Sequence, residues 1–376
     1  MKCNKDNHRK MATEVKYIKD SNIEQLSHEQ NMITDVLKAK VKSSSGKLRN
    51  IKLPKYIFFR IKDNSTLLIS IKEMEATLDS KIIMKNPVCE NMQEDNAAFE
   101  GWAICLKSWL ACIEKVELTW DIPSEITLKR GSSEQHYNRF CYRVMRFKEA
   151  YKDWFSISDE NKNEIVKFAK RFSEIRNNAY SKEPKHKPSH NGFGETDMEF
   201  AMANDFDTIM KSYFNIGFID RQFPVGLKKA DKLFFTGGLS AIDLWGSKDD
   251  VLSIIELKYI PKSSSKNIKV GIISELFLYS CVMRDIAKGV IHEPSTPVVK
   301  ETEKLFYKNA NNYRKVCAYM LANEYHPLVE NKQVFSLLNS NTFSEDIPVS
   351  FQQCHYIYNE TTKQLSIAEL YEDKST

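Results

Sequence analysis

Long apolar runs are absent from the 376-residue sequence, and none is long enough to span a bilayer. The start of the chain, MKCNKDNHRK, lacks the apolar segment of a secretory signal. Glycine and proline are scarce, at 12 and 11 residues, while 42% of the residues are hydrophobic, which argues against extensive disorder. We therefore expect a folded cytoplasmic protein that has no membrane partner.

Close pairs of cysteine are also absent. The eight cysteines contain no CxxC pair, which is the spacing typical of a structural zinc site. They are scattered, mostly within apolar stretches, as is usual for reduced and buried thiols. His186 and His190 stand four residues apart, but Pro188 between them disfavours the helix that would place both on one face. We interpret both histidines as linker residues.

Charge of one sign does not dominate the chain, because 55 Lys and Arg face 50 Asp and Glu, for a formal net charge of +5. This mild basic excess permits a polyanionic partner without requiring one. The charge balance alone therefore assigns no function.

The chain is long enough for two domains, and we predict an α+β protein with that organisation. Residues 181–194, SKEPKHKPSHNGFG, concentrate Pro, Gly, Lys and His without apolar periodicity, which predicts a linker. Residues 1–180 would form an α+β module for recognition, sensing or dimerisation. For the second domain, 195–376, the pattern predicts helices near 197–214, 270–288 and 300–311, and strands near 218–225, 232–245, 251–260, 315–322, 334–338 and 351–358.

The stretch GGLSAIDLWGSKDDVLSIIELK, residues 237–258, predicts a β-hairpin. If the chain reverses at Asp249 and Asp250, Asp243 lies directly opposite Glu256, and both side chains leave the same face of the sheet. Lys258, two residues beyond Glu256, shares that face. The hairpin therefore predicts two carboxylates and one ammonium group close together.

Two carboxylates at such a distance repel each other unless a cation lies between them. Oxygen ligands from Asp243 and Glu256, with the backbone carbonyl of Leu257 if the strand edge is open, favour Mg²⁺, and Mn²⁺ is expected to substitute for it. Such an ion polarises a phosphoryl oxygen and activates water. Lys258 is placed to hold the attacking water and to offset charge on the phosphate.

This arrangement resembles the PD-(D/E)XK nuclease superfamily, which has the restriction-endonuclease-like fold. The matching residues are Asp243 for the first acid and Glu256-Leu257-Lys258 for the (D/E)xK tripeptide, which follows the apolar run 251–255. The resemblance covers roughly 194–358, although the residue directly before Asp243 is Ile242 rather than the proline of the family motif. It implies a mixed central sheet flanked by helices and metal-dependent hydrolysis of phosphodiester bonds. By analogy it further implies a DNA endonuclease of the restriction or anti-phage defence type.

The resemblance also implies a catalytic glutamate on the first helix of the core, for which Glu199 is the candidate. The alternative is a capping box in which Glu199 bonds back to the N–H of Thr196, and Glu195 would then replace it. On the next helix, Glu275 and Tyr279 stand where some branches of the superfamily carry a Gln-x-x-x-Tyr pair. We interpret these two residues as ordinary helix surface.

Two groups of basic residues are candidate contacts for a nucleic-acid backbone. Lys262, Lys266 and Lys269 lie in the loop just past the tripeptide. The second group is a helical stripe formed by Arg139, Arg143 and Arg146. A simply solvated surface is the alternative for each group.

Several functional alternatives remain open on the sequence alone. The set Asp243, Glu256 and Lys258 would also suit a buried ion pair without chemistry. RNA is the rival substrate, and a non-catalytic nucleic-acid-binding module is the rival outside the enzymes. A homodimer is possible for double-strand cleavage, and an activating ligand or partner is possible at the N-terminal domain.

Overall fold

The computed structural model describes residues 15–16, 23–41, 51–78, 81–92, 95–185, 193–235, 240–261, 269–343 and 346–369. Its helices are α1 (Ile23–Lys40), α2 (Phe99–Trp109), α3 (Glu125–Leu128), α4 (Ser133–Ala150), α5 (Asp159–Arg171), α6 (Glu195–Asn204), α7 (Asp207–Phe214), α8 (Gly271–Ala287), α9 (Glu301–Asn309) and α10 (Lys332–Leu338).

Its strands are β1 (Val15–Lys16), β2 (Ile57–Lys62), β3 (Thr66–Ile71), β4 (Met74–Leu78), β5 (Lys81–Lys85), β6 (Lys115–Trp120), β7 (Phe155–Ile157), β8 (Ile175–Asn177), β9 (Asp220–Pro224), β10 (Leu227–Lys229), β11 (Lys232–Leu233), β12 (Ala241–Lys248), β13 (Val251–Lys258), β14 (Lys315–Ala322), β15 (Val349–Asn359) and β16 (Gln364–Glu369). The chain is therefore an α+β protein, as its sequence predicts.

The largest sheet among the described strands has six members in the order β16-β15-β14-β13-β12-β9. Strands β13, β14 and β15 run parallel, whereas β9, β12 and β16 pair antiparallel with their neighbours. The sheet is thus mixed. Its central strand β13 is almost fully buried, which fits its continuous apolar run.

Helices cover both faces of this sheet. Met198 and Met202 of α6 and Phe214 of α7 pack in one apolar cluster with Ile255 and Leu257 of β13. Helix α8 lies on the other face, and every one of its residues is buried. Because side chains alternate along a strand, the even-numbered residues of β13 face α8. The two charged residues near the end of β13 therefore project toward α8.

The N-terminal half contributes a second sheet, in the order β2-β3-β6-β7. Its helix α2 packs directly on the start of α8, where a Cβ added to Gly101 would lie 2.6 Å from the carbonyl oxygen of Val270. The indole N–H of Trp109 donates to the carbonyl of Leu328 at 2.8 Å. Strand β8 pairs with β10 across the predicted linker. Residues on both sides of the linker thus share one hydrophobic core, while the predicted domain boundaries stay a prediction.

Three predicted elements are wrong in detail. The predicted strand 232–245 contains parts of two strands, β11 in the sheet with β10 and β8, and β12 in the six-stranded sheet. The apolar run 334–338 is helix α10 rather than a strand, and the side chain of Asn331 caps it by accepting from the N–H of Gln333. The predicted helix 197–214 is two helices, α6 and α7, which meet at Asp205 and Phe206. In the described part of the chain, no helix combines the length and the apolar character that crossing a membrane requires.

Candidate active site

The hairpin formed by β12 and β13 has the predicted register. Leu244 pairs with Ile255 and Lys248 with Val251, and the chain reverses at Asp249 and Asp250. Asp249 adopts a left-handed conformation with φ of 53°, which aspartate tolerates in tight turns. The same register places Asp243 opposite Glu256. These two carboxylates are therefore brought together as the sequence predicts.

The regular pairing of β12 with β13 extends from the turn to Leu244, one residue short of Asp243. The carboxylate of Asp243 accepts a hydrogen bond from the backbone N–H of Leu257 at 2.9 Å. Strand β13 nevertheless lies between β12 and β14, so it is not an edge strand. The role of the Leu257 carbonyl as a metal ligand depends on an open edge, and it stays a prediction.

Lys258 lies among four carboxylates, which we name the acid cluster: Glu195, Asp243, Glu256 and Glu275. Its Nζ is 2.6 Å from Glu256 Oε1, 3.4 Å from Glu195 Oε1, 3.6 Å from Glu275 Oε2 and 4.0 Å from Asp243 Oδ2. The four acids come from α6, β12, β13 and α8. One ammonium group therefore faces four potential negative charges.

Burial changes the ionisation of the cluster. It raises the pKa of Asp243 well above its ordinary value, and Glu195 and Glu199 raise this pKa further. Burial also raises the pKa of Glu256, with further contributions from Asp243 and Glu275. Burial alone would lower the pKa of Lys258, but the surrounding carboxylates raise it well above its ordinary value. Asp243 and Glu256 therefore favour a proton or a cation beside them.

The donor atoms of the cluster suit a magnesium ion. Glu256 Oε2 is buried and has no hydrogen-bond partner among the described residues. Within those residues, no group of three or more His, Cys, Asp and Glu side chains is arranged to enclose a metal. Mg²⁺ does not need such a cage, because one or two carboxylates together with substrate phosphates and water usually hold it. Asp243 and Glu256 fit that mode of binding.

Glu199 is not a helix cap, so the capping-box interpretation is wrong. Helix α6 begins two residues earlier than that interpretation requires, at Glu195, and Asp197 instead accepts a hydrogen bond from the backbone N–H of Gly194 at 2.9 Å. Glu199 is buried beside the sheet, where Gln222 Nε2 donates to its Oε2 at 2.7 Å. Arg221 Nη1 is 3.6 Å from its other oxygen. Burial raises the pKa of Glu199 to about 7.

Helix α6 brings both of its candidate glutamates to the site. Glu195 contacts Lys258 directly, and Glu199 follows one turn later, close enough to raise the pKa of Asp243. Gln222, which holds Glu199, lies opposite Asp243 in the β9–β12 pairing and has a positive φ of 58°. Gln222 carries no signal in the sequence, because its contact with Glu199 depends on this distorted strand conformation.

Glu275 and Tyr279 are not ordinary helix surface, and that interpretation is wrong. Both are buried, with exposures of 1% and 3%. Their side chains are buried because α8 is enclosed along its whole length between the large sheet and the N-terminal half. Their i, i+4 spacing places both on the side of α8 that lines the site.

A cavity of about 800 Å³ adjoins the acid cluster. The C-terminal half lines it with the four acids of the cluster, Lys258 and Tyr279. The N-terminal half contributes a second wall that includes Gln135, His136 and Arg139. Both halves of the chain therefore form the candidate site.

The predicted basic stripe on α4 does not form a solvated face. Arg143 is buried in an ion pair with Glu100, and Arg146 pairs with the buried carboxylate of Asp285 at 2.6 Å. Arg143 and Arg146 are thus neutralised within the fold, while their contact with nucleic acid stays a prediction. Arg139 differs, because it lines the cavity.

The predicted basic loop after β13 is only partly described. Lys262 and Lys266 lie outside the described residues, whereas Lys269 is exposed just before α8. Contact of these lysines with nucleic acid stays a prediction.

Searches of protein-family models, of curated proteins and of solved structures each found no match.

Proposed function

We propose that this chain is a metal-dependent nuclease that hydrolyses phosphodiester bonds, with DNA as its substrate and internal bonds as its points of cleavage. The observation that carries the proposal is the placement of Asp243, Glu256 and Lys258 on one face of a hairpin, within a cluster of excess negative charge. The mixed sheet with helices on both faces supports the likeness to the restriction-endonuclease-like fold. A role in restriction or anti-phage defence follows by analogy.

The charge count favours chemistry over a structural ion pair. A stabilising pair needs one acid for each base, but Lys258 lies near both Asp243 and Glu256, and Glu256 Oε2 is buried without a hydrogen-bond partner among the described residues. Surplus buried carboxylates cost free energy unless a proton or a cation compensates them. Such an arrangement is typical of functional sites, where perturbed pKa values concentrate.

Asp243 and Glu256 would hold a Mg²⁺ ion, which supplies a Lewis acid for the phosphoryl oxygen when it is bound. Lys258 orients the attacking water and offsets the negative charge that develops on the phosphate. Glu195 and Glu275 keep Lys258 protonated and restrict its position. In the reaction, a water oxygen bonds to phosphorus and the water releases a proton to solvent, the bond from phosphorus to the leaving oxygen breaks, and that oxygen takes up a proton from solvent.

The test is a cleavage assay on plasmid DNA, linear DNA and RNA with Mg²⁺, Mn²⁺ or EDTA. We expect the wild type to cut plasmid DNA with either ion and EDTA to stop it. Asp243→Asn and Lys258→Ala should each lower the rate by more than about a hundredfold, because each removes a group that stabilises the transition state. Asp159→Asn and Lys304→Met alter an exposed acid and an exposed lysine, and they serve as matched controls.

Cleavage that survives both site substitutions would show that the acid cluster is not the active site. If the wild type cleaves RNA but neither form of DNA, RNA rather than DNA is the substrate. If the wild type binds DNA with Mg²⁺ but cuts no substrate, a non-catalytic binding module becomes the better interpretation.

A further inference from the structure

Arg139 is a buried cation in the wall of the candidate site. Its exposure is 3%, and it reaches the cavity from α4 in the N-terminal half. Its Nη2 contacts His136 Nδ1 at 2.8 Å, and its Nη1 is 3.5 Å from Ser240 Oγ. Since arginine only donates, His136 Nδ1 is the acceptor in this contact. These contacts fix the guanidinium without neutralising it.

The two neighbouring arginines on α4 differ in this respect. Arg143 has Glu100, and Arg146 has Asp285. Within the described parts of the chain, no carboxylate pairs with the guanidinium of Arg139. A buried charge that no carboxylate contacts directly is energetically unfavourable. Burial and the nearby charge of Arg143 lower the pKa of Arg139 to about 10, although Tyr279, Glu275 and Glu100 act in the opposite direction, so the side chain still carries its charge at neutral pH.

The ligand that this cation fits is an oxyanion that enters the cavity. A guanidinium group offers two parallel N–H donors, which match two oxygens of one phosphate. The acid cluster repels any anion until a divalent ion compensates it, so a phosphate enters between a metal on one wall and Arg139 on the other. Ser240, which contacts Arg139, directly precedes β12, the strand that carries Asp243.

We propose that Arg139 binds the phosphate group of the substrate, and that His136 positions the guanidinium for this contact. This inference rests on the proposed function, because the phosphate is that of the nuclease substrate or its product. It assigns the N-terminal half a direct part in substrate binding. Of the three arginines predicted to contact nucleic acid, Arg139 is the one that lines the cavity.

The test measures ligand binding separately from cleavage. The probe is thymidine monophosphate, which has no diester bond to cut, titrated into the full chain with Mn²⁺ in a calorimeter. We expect Arg139→Gln to weaken this binding by at least about tenfold, because a hydrogen-bonded charge is lost. Arg139→Lys should be intermediate, because ammonium keeps the charge but loses the paired donors. Mn²⁺ binding alone should stay unchanged in both variants.

Arg314→Gln is the matched control, since Arg314 is exposed at the opposite end of the parallel strand β14 and bonds only nearby carbonyls among the described contacts. Unchanged monophosphate binding in the folded Arg139→Gln variant would overturn the inference. If that variant does not fold, unchanged binding in Arg139→Lys would overturn it equally.

The two proposals fail in different ways. Monophosphate binding that depends on Arg139 in a wild type that cuts nothing would support the inference and refute the nuclease. Normal DNA cleavage by Arg139→Gln with unaltered kcat/KM would support the nuclease and refute the role of Arg139 in phosphate binding.

Discussion

Lys258 occupies the space between the carboxylates that would hold the metal. We predict that Lys258→Met abolishes DNA cleavage and yet tightens the binding of Mn²⁺ or Mg²⁺. The ammonium group is 2.6 Å from Glu256 and 4.0 Å from Asp243, so it competes with any cation for both side chains. Methionine is unbranched and apolar, and it replaces most of the lysine stem without the charged ammonium group.

The magnitude follows from the longer of these two distances. Two unit charges 4 Å apart attract each other by about 4 kcal/mol at an effective dielectric constant of about 20. Lys258 retains part of this energy by turning toward Glu195 and Glu275 when a metal arrives. We therefore expect at least about 1.4 kcal/mol to be recovered in the variant, which is about tenfold in metal affinity.

The assay is calorimetric titration of Mn²⁺ into the wild type, Lys258→Met and the control Lys304→Met, which removes an exposed lysine from an i, i+3 pair. Plasmid cleavage is measured on the same preparations. Equal or weaker metal binding by Lys258→Met would refute the idea that the ammonium competes with the cation. Cleavage by this variant would refute the role of Lys258 in positioning the water.

Three further predictions test ionisation and packing. Metal affinity should rise with pH, by up to about tenfold per unit for each proton released, because the raised pKa values of Asp243 and Glu256 let protons compete with the ion. Calorimetry at several pH values checks this, and a flat profile would contradict it. Glu303 is buried, neither of its oxygens has a partner among the described residues, and burial raises its pKa to about 7. The stability that the protonated Glu303 carboxyl group contributes is fully present below its unfolded pKa of about 4.3 and is lost as pH rises through about 7. Glu303→Gln should therefore stabilise the fold by about 2 kcal/mol more at about pH 8 than at about pH 5. Denaturant unfolding at both pH values measures this difference, and an equal effect at both would exclude it. Gly101→Ala should destabilise the fold by about 1–3 kcal/mol or more, because its Cβ would lie 2.6 Å from the Val270 carbonyl; a neutral result in thermal unfolding would mean that α2 does not pack on α8.

The hairpin and its charged face were predictable from the sequence. Asp249 and Asp250 identify the turn, and a period of two then fixes which residues share a face. The position of Asp243 opposite Glu256 follows from these two facts alone. The strand 315–322 was equally predictable, because a β-rich apolar run has one clear interpretation there.

Other parts of the site depend on contacts that are distant in sequence. Arg143 and Arg146 look like a solvated stripe until the fold supplies Glu100 and Asp285 as partners. Glu275 becomes a buried acid only because the N-terminal half covers α8. Periodicity within one helix does not contain that information.

Short apolar runs limit the prediction of secondary structure in a different way. The sequence VFSLL at 334–338 suits a strand by composition, but the cap from Asn331 and the packing of Val334 and Leu338 make it a helix. The capping box at Glu199 failed for a similar reason, since α6 starts at Glu195 and uses Asp197 instead. Local patterns compete in such segments, and tertiary contacts decide between them.

The most direct measurement of phosphodiester hydrolysis at the acid cluster is oxygen-isotope transfer from water. A short DNA oligonucleotide is incubated with Mg²⁺ and the protein in water enriched in the heavy isotope of oxygen, and the products are weighed by mass spectrometry. We expect one heavy oxygen on each product phosphate with the wild type and none with Asp243→Asn or with EDTA. Products without the heavy oxygen, or equal incorporation by Asp243→Asn, would contradict metal-dependent hydrolysis at this site.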